Sequence, residues 1–178
     1  MSVIFSCAEN PSCQFEISAK AAEMSGLVRT MLEENEEACP VVPLGQLSSW
    51  ALEKVVEFLK HHENDPMKPI PRPIPTNNLA EMVGEWDAEF MNYENDQAKL
   101  VDLILAANYL DIPPLLELGL ARYACMLKGK DAKEVCEILK IDKEMNPEEE
   151  RAVRQANPWI FDTAPTPTPK AETEEEND

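Results

Sequence analysis

The chain has 178 residues, of which 34 are Asp or Glu and 16 are Lys or Arg, for a formal net charge of -18. That balance opposes binding to a phosphate backbone, whose affinity comes largely from neutralisation by Lys and Arg, so no nucleic-acid partner is expected. Five cysteines without a CxxC pair predict free thiols, with neither a disulfide framework nor a structural zinc site.

The opening MSVIFSCAENPSCQFEI lacks a basic stretch followed by a longer apolar run, so no secretory signal is expected and the protein is read as intracellular. Within residues 3–18, VIFSC and QFEIS are short β-prone runs joined by the breaker-rich AENPS, which predicts a hairpin. Ser18 is placed to cap a helix from about Ala19 to Glu34, with Ala22, Leu27, Val28, Met31 and Leu32 at helical spacing. A third strand is expected at VVPL, Val41 to Leu44. Ser48 or Ser49 then opens a helix whose buried stripe is Leu52, Val55, Val56 and Leu59.

Five prolines between Pro66 and Pro75 exclude helix and central strand, so an exposed linker of polyproline character is expected there. Downstream the pattern is helical. From Leu100 to Leu127, 20 of 28 residues are apolar. Leu100, Leu103, Ile104 and Ala107 form one face of the first helix, while Val101 and Leu105 lie on a flank that also needs cover. In the second, Leu116, Leu120, Tyr123 and Leu127 share a face, and Leu115, Leu118 and Met126 do not all fit beside it. An ordinary surface helix keeps about half its circumference polar, so the excess points either to a deep core or to a partner-binding groove. The residues alone leave both open. Pro113-Pro114 interrupts the run well before a membrane span accumulates.

Gly129 is placed to end the second helix in the left-handed region, a short helix from about Asp131 to Leu139 follows, and Asn146-Pro147-Glu148-Glu149 is a strong helix start. Trp159, Ile160 and Phe161 close the foldable region. The proline-rich acidic tail beyond them is expected to be disordered.

The segments HHENDP (His61 to Pro66), WDAEFM (Trp86 to Met91), LILAANYLDI (Leu103 to Ile112), LKGK (Leu127 to Lys130) and NPEEERAVRQANPW (Asn146 to Trp159) occur in an order and spacing that resembles the S-phase-kinase-associated protein 1 family, over about residues 3 to 161. That family supplies the adaptors of SCF ubiquitin ligases. The resemblance implies an α/β N-terminal BTB/POZ-like domain, a small sheet of about three strands packed with helices, followed by an all-helical C-terminal F-box-binding extension. Its divisions would be 1–65 for the N-terminal part, 66–79 for the linker, 80–112 for helices completing the BTB/POZ-like domain, 113–161 for the F-box-binding helices and 162–178 for the tail.

It further implies two partners, a cullin scaffold and F-box substrate receptors, no catalysis, no cofactor, and a cytoplasmic and nuclear location. Asn108 and Tyr109 match positions that face the cullin, with Met31 a weaker candidate for the same surface. Leu100, Ile104, Leu116, Leu120, Met126, Val135, Ile138 and Leu139 are the candidates for the F-box interface, and Trp159 would clamp the receptor unless it packs on its own domain. The rival reading is a structural or self-associating BTB-like protein in a non-ligase assembly, with a homodimer through the BTB-like face when unbound.

The chain departs from the family pattern at Pro113-Pro114, in the basic and proline-mixed linker and in the tail, which suggests a narrowed receptor range. No glycine-rich phosphate motif is present, and adjacent His61 and His62 point about 100° apart on a helix, so they read as a helix end interacting with the dipole rather than as a metal pair. The acidic runs read as solvated helix ends and loops. No serine or cysteine has a recognisable histidine base.

Overall fold

The computed structural model describes residues 2–7, 14–34, 41–93, 96–141 and 146–158. It divides into two compact units, Met1–Lys130 and Asp131–Asp178.

The first unit is built on a three-stranded sheet. Strands β1 (Ser2–Cys7) and β2 (Gln14–Ser18) pair antiparallel with Val3 opposite Ile17, and β3 (Val41–Leu44) lies parallel to β1 with Phe5 beside Val42, giving the order β2-β1-β3. Alternation decides which face is core: Val3, Phe5, Ile17, Val42 and Leu44 all point inward and are buried. Pro43 cannot donate to a ladder and sits on an edge strand, where that loss is tolerated.

The helix expected from Ala19 to Glu34 is two helices, α1 (Ala19–Ala22) and α2 (Gly26–Glu33). Ser18 caps the first by accepting from the Ala21 amide, and buried Ser25 caps the second by accepting from Val28. The break has a tertiary cause. The Gly26 and Leu27 amides donate to the carbonyls of Asp111 (2.8 Å) and Leu110 (3.3 Å), so the start of α2 bonds to a distant turn instead of continuing α1. Only glycine fits there, since a Cβ on Gly26 would come within 1.9 Å of the Asp111 carboxylate.

Helix α3 (Ser49–His62) is capped by Ser48, whose hydroxyl also donates to Asp102 at 2.8 Å. Its buried stripe contains Leu52, Val55, Val56 and Leu59 as expected, widened by Ala51, Phe58 and His62. After a 3-10 turn at Leu79–Glu81 come α4 (Glu85–Phe90), α5 (Gln97–Tyr109) and α6 (Pro113–Leu127). Asp96 caps α5 through the Lys99 amide, Pro113 and Pro114 occupy the first turn of α6 where missing N–H groups cost nothing, and Gly129 has φ 76° just past its end. Helix α5 packs against both α3 and α6.

Residues 66–78 form neither helix nor strand, in keeping with their prolines, but they are not a free linker. Met67, Ile70 and Ile74 are half-buried against the core. The strap is tied to α6 by the Arg72–Glu117 ion pair (2.9 Å), by Lys128 Nζ donating to the Ile74 carbonyl (2.6 Å) and by Asn77 donating to the Lys128 carbonyl (3.2 Å). A backbone without internal hydrogen bonds is free to bond sideways, which is what these groups do.

In the second unit, α7 (Ala132–Ile138) and α8 (Pro147–Ala156) each begin with a capping box, Asp131 with Glu134 and Asn146 with Glu149. The compact units meet after Lys130, because α6 shares the core of α5.

Candidate functional site

The apolar excess of α5 and α6 is divided between core and surface. Leu100, Leu103, Ala106 and Ala107 on α5 and Leu115, Leu118, Gly119, Ala121 and Cys125 on α6 are buried. Leu100 is 0% exposed, so the expectation that it lies at a receptor interface is corrected: it is part of the hydrophobic core and offers no surface in the free chain. What remains outside is Val101 (40% exposed), Leu105 (59%) and Leu120 (52%), with Ile104, Leu116, Tyr123 and Met126 half-buried at the border.

Ile104 is held by close approach of the two helices. A Cβ on Gly119 would stand 2.5 Å from Ile104 Cγ1, so glycine at that position lets the isoleucine side chain lie directly on the α6 backbone. Leu116 and Leu120, three residues before and one after Gly119, lie about 60° and 100° round the helix from it on the same side, next to where Ile104 rests. Ile104, Leu116 and Leu120 therefore form one apolar surface across two helices.

Val101, Leu105 and Asn108 share a second outward stripe of α5, spaced four and three residues and spanning an arc of about 60°. Sequence reasoning set Val101 and Leu105 aside as flank residues. Their signal was the apolar density itself, which no single buried stripe accommodates. Asn108 is exposed and Tyr109 half-buried at the end of this helix. The same end accepts the amides of Gly26 and Leu27, which fixes α2 against it and presents Met31 (36% exposed) from that neighbouring helix. The three residues expected to face a cullin thus stand on two elements joined by backbone hydrogen bonds.

The second unit carries the other candidates. Neither α7 nor α8 holds a buried residue. Val135 and Ile138 are half-buried, while Leu139, Ile141 and Val153 are exposed. Trp159, Ile160 and Phe161 lie outside the described residues.

The groups able to do chemistry are engaged in structure. His62 is buried and bridges two groups, with Nδ1 2.7 Å from the Asp65 carbonyl and Nε2 2.8 Å from the carboxylate of buried Asp87. His62 is the last residue of α3, the helix end expected for the histidine pair, and it is turned into the core. His61 stacks on Trp86 at 3.6 Å between nearly parallel rings, and Trp86 stacks in turn on Phe90. Cys125 donates to the Thr76 carbonyl at 3.7 Å, and burial pushes its thiol up, away from the reactive thiolate. The open surfaces are suited to packing and hydrogen bonding with another polypeptide.

Comparison with known proteins agrees with this arrangement. Residues 9–64 match the Skp1 family tetramerisation domain and residues 113–160 the Skp1 family dimerisation domain. The chain is similar to the E3 ubiquitin ligase complex SCF subunit sconC of Arthroderma otae, 36% identical over 149 residues that cover 84% of this chain and 89% of that protein. It is 37% identical over 146 residues to the sconC protein of Talaromyces stipitatus, covering 82% and 89% respectively. With the S-phase kinase-associated protein 1 homolog of Tetrahymena thermophila it shares 35% identity over 144 residues, 81% of this chain and 86% of the other. Matched at both ends by family models and along most of its length by such relatives, the chain belongs to the Skp1 family.

Proposed function

We propose that this chain is the adaptor subunit of an SCF-type cullin-RING ubiquitin ligase, bridging a cullin scaffold to F-box substrate receptors. The observation that carries the reading is the distribution of unburied apolar residues. Among the described residues, Leu120, Leu139, Ile141 and Val153 lie in the part matched by one family model, and Met31, Val41, Val101 and Leu105 lie before it. Leu120, Leu139, Ile141 and Val153 are each about half exposed, so each leaves in water roughly half of the 1.5 to 3 kcal/mol that full burial would contribute, which a second polypeptide recovers. Asn108, Tyr109 and Met31 supply a separate surface at the α5 end, and two separate surfaces are what a bridge needs. Catalysis by such a subunit is proximity, contributed by holding substrate near an enzyme carried elsewhere in the assembly.

The test is reconstitution from the full chain, the N-terminal part of a cullin and an F-box domain. A ternary complex eluting as one species is expected. Recovery of neither partner overturns the reading. The descriptions of the matched family models, dimerisation and tetramerisation, favour a second reading in which the open surfaces close on further copies of this chain. Light scattering separates the two, since an ordered oligomer that persists when an F-box domain is added supports self-association.

A further inference from the structure

The strap and α6 enclose an apolar groove lined by Ile70, Pro73, Ile74, Leu120, Ala121 and Ala124, with the paired Arg72 and Glu117 also on its wall. Small residues on α6 make the hollow, and the strap makes its far side. The strap does not drift away, because the ties at Glu117, Cys125 and Lys128 hold it along nearly three turns of the helix. The two charges satisfy each other at 2.9 Å, so an occupant need not supply a counter-charge.

Leu116, Leu120 and Ala124 follow one another at four-residue steps and form a continuous ridge along α6. The first two belong to the surface assigned above to the receptor, and the last two line the groove. Continuity through Leu120 selects the occupant. We infer that the groove is the outer end of the F-box receptor's footprint and takes one bulky apolar side chain that the receptor presents beside its contact with Leu120. The inference rests on the adaptor reading and adds a selectivity rule to it: receptors with a large apolar residue at that place bind, and those with a charged one are rejected because the groove would desolvate the charge without pairing it.

The experiment uses the full chain with labelled isoleucine δ1 methyl groups, titrated with several recombinant F-box domains, together with the variants Ala124→Trp and, as the smaller filling, Ala124→Leu. Ile70 and Ile74 methyl signals are expected to move along with that of Ile104. Filling the groove should weaken binding at least tenfold while the melting temperature stays that of the parent. Movement of Ile104 with Ile70 and Ile74 unmoved, and unchanged affinity of the filled variants, overturns the groove and leaves the adaptor standing. If no F-box domain binds the parent chain, the adaptor reading fails and the groove with it.

Discussion

Leu100 and Leu120 are the same residue type on adjacent helices, and truncating each to alanine separates core from interface. Leu100 is 0% exposed in a continuous core. Leu100→Ala removes three buried carbons, a methine and two methyls, and leaves a cavity, for a cost of about 2 to 5 kcal/mol in unfolding free energy. Leu120 is 52% exposed, so Leu120→Ala should shift the stability of the free chain by little more than about 0.5 kcal/mol. Its effect belongs to the complex. Burying the exposed half of a leucine is worth about half of the 1.5 to 3 kcal/mol for a whole side chain, or roughly 0.8 to 1.5 kcal/mol, which weakens an F-box domain by about four- to twelvefold.

Urea denaturation of the two free variants and calorimetric titration with an F-box domain give both numbers. The expected pattern is crossed: Leu100→Ala loses stability, and once corrected for its folded fraction binds almost as the parent does, while Leu120→Ala keeps stability and loses affinity. A Leu120→Ala chain that binds unchanged, or one that unfolds as readily as Leu100→Ala, would refute the division of α5 and α6 into core and open surface.

Asn108→Lys with Tyr109→Lys should abolish binding of a cullin fragment in pulldown while leaving F-box binding within about twofold, since the substitutions place two charges at the α5 end and none on the α6 face. His62→Ala should cost about 3 to 5 kcal/mol in urea denaturation by leaving the buried Asp87 carboxylate unpaired, and His62→Leu with Asp87→Leu should recover most of it. Burial raises the Cys125 thiol, so at any pH below that raised value less thiolate is present, and peptide mapping after brief maleimide treatment near pH 8 should find exposed Cys136 modified well before Cys125. In hydrogen exchange, amides of α7 and α8 should exchange faster than those of α5 and α6 in the free chain and gain protection on adding an F-box domain; equal protection of all four helices beforehand refutes the open surface of the second unit.

The sheet, the caps at Ser18, Ser48 and Asn146, and the proline start of α6 were legible because each is decided within a few residues. The break between α1 and α2 was missed because apolar spacing runs through it. Its cause is 85 residues away, where the carbonyls of Leu110 and Asp111 replace the helical acceptors. The prolines correctly gave a strap outside helix and strand, but that does not imply exposure, and only the packed structure places Ile70 and Ile74 against the core. His62 did leave a readable sign. It continues the Val55, Leu59 stripe at four- and three-residue steps, and a polar residue on a buried stripe requires partners.

The site itself was legible in amount and not in partition. Successive helical residues differ by 100°, so Leu100 and Val101 differ in fate according to which direction α3 and α6 lie, and that is settled by contacts distant in sequence. In the second unit the balance differs, and sequence reasoning does better there. Helices of 7 and 10 residues are marginal alone, and their capping boxes stabilise each by only about 1 kcal/mol. Such helices usually depend on burying an apolar face, yet here none is buried. The ends of α7 and α8 are satisfied by their own residues, and Val135, Ile138, Leu139 and Val153 stay outside any buried core. An adaptor whose first unit closes its core with Leu120 outside it, and with Ile104, Leu116, Tyr123 and Met126 only at the border, keeps its own fold independent of what it carries.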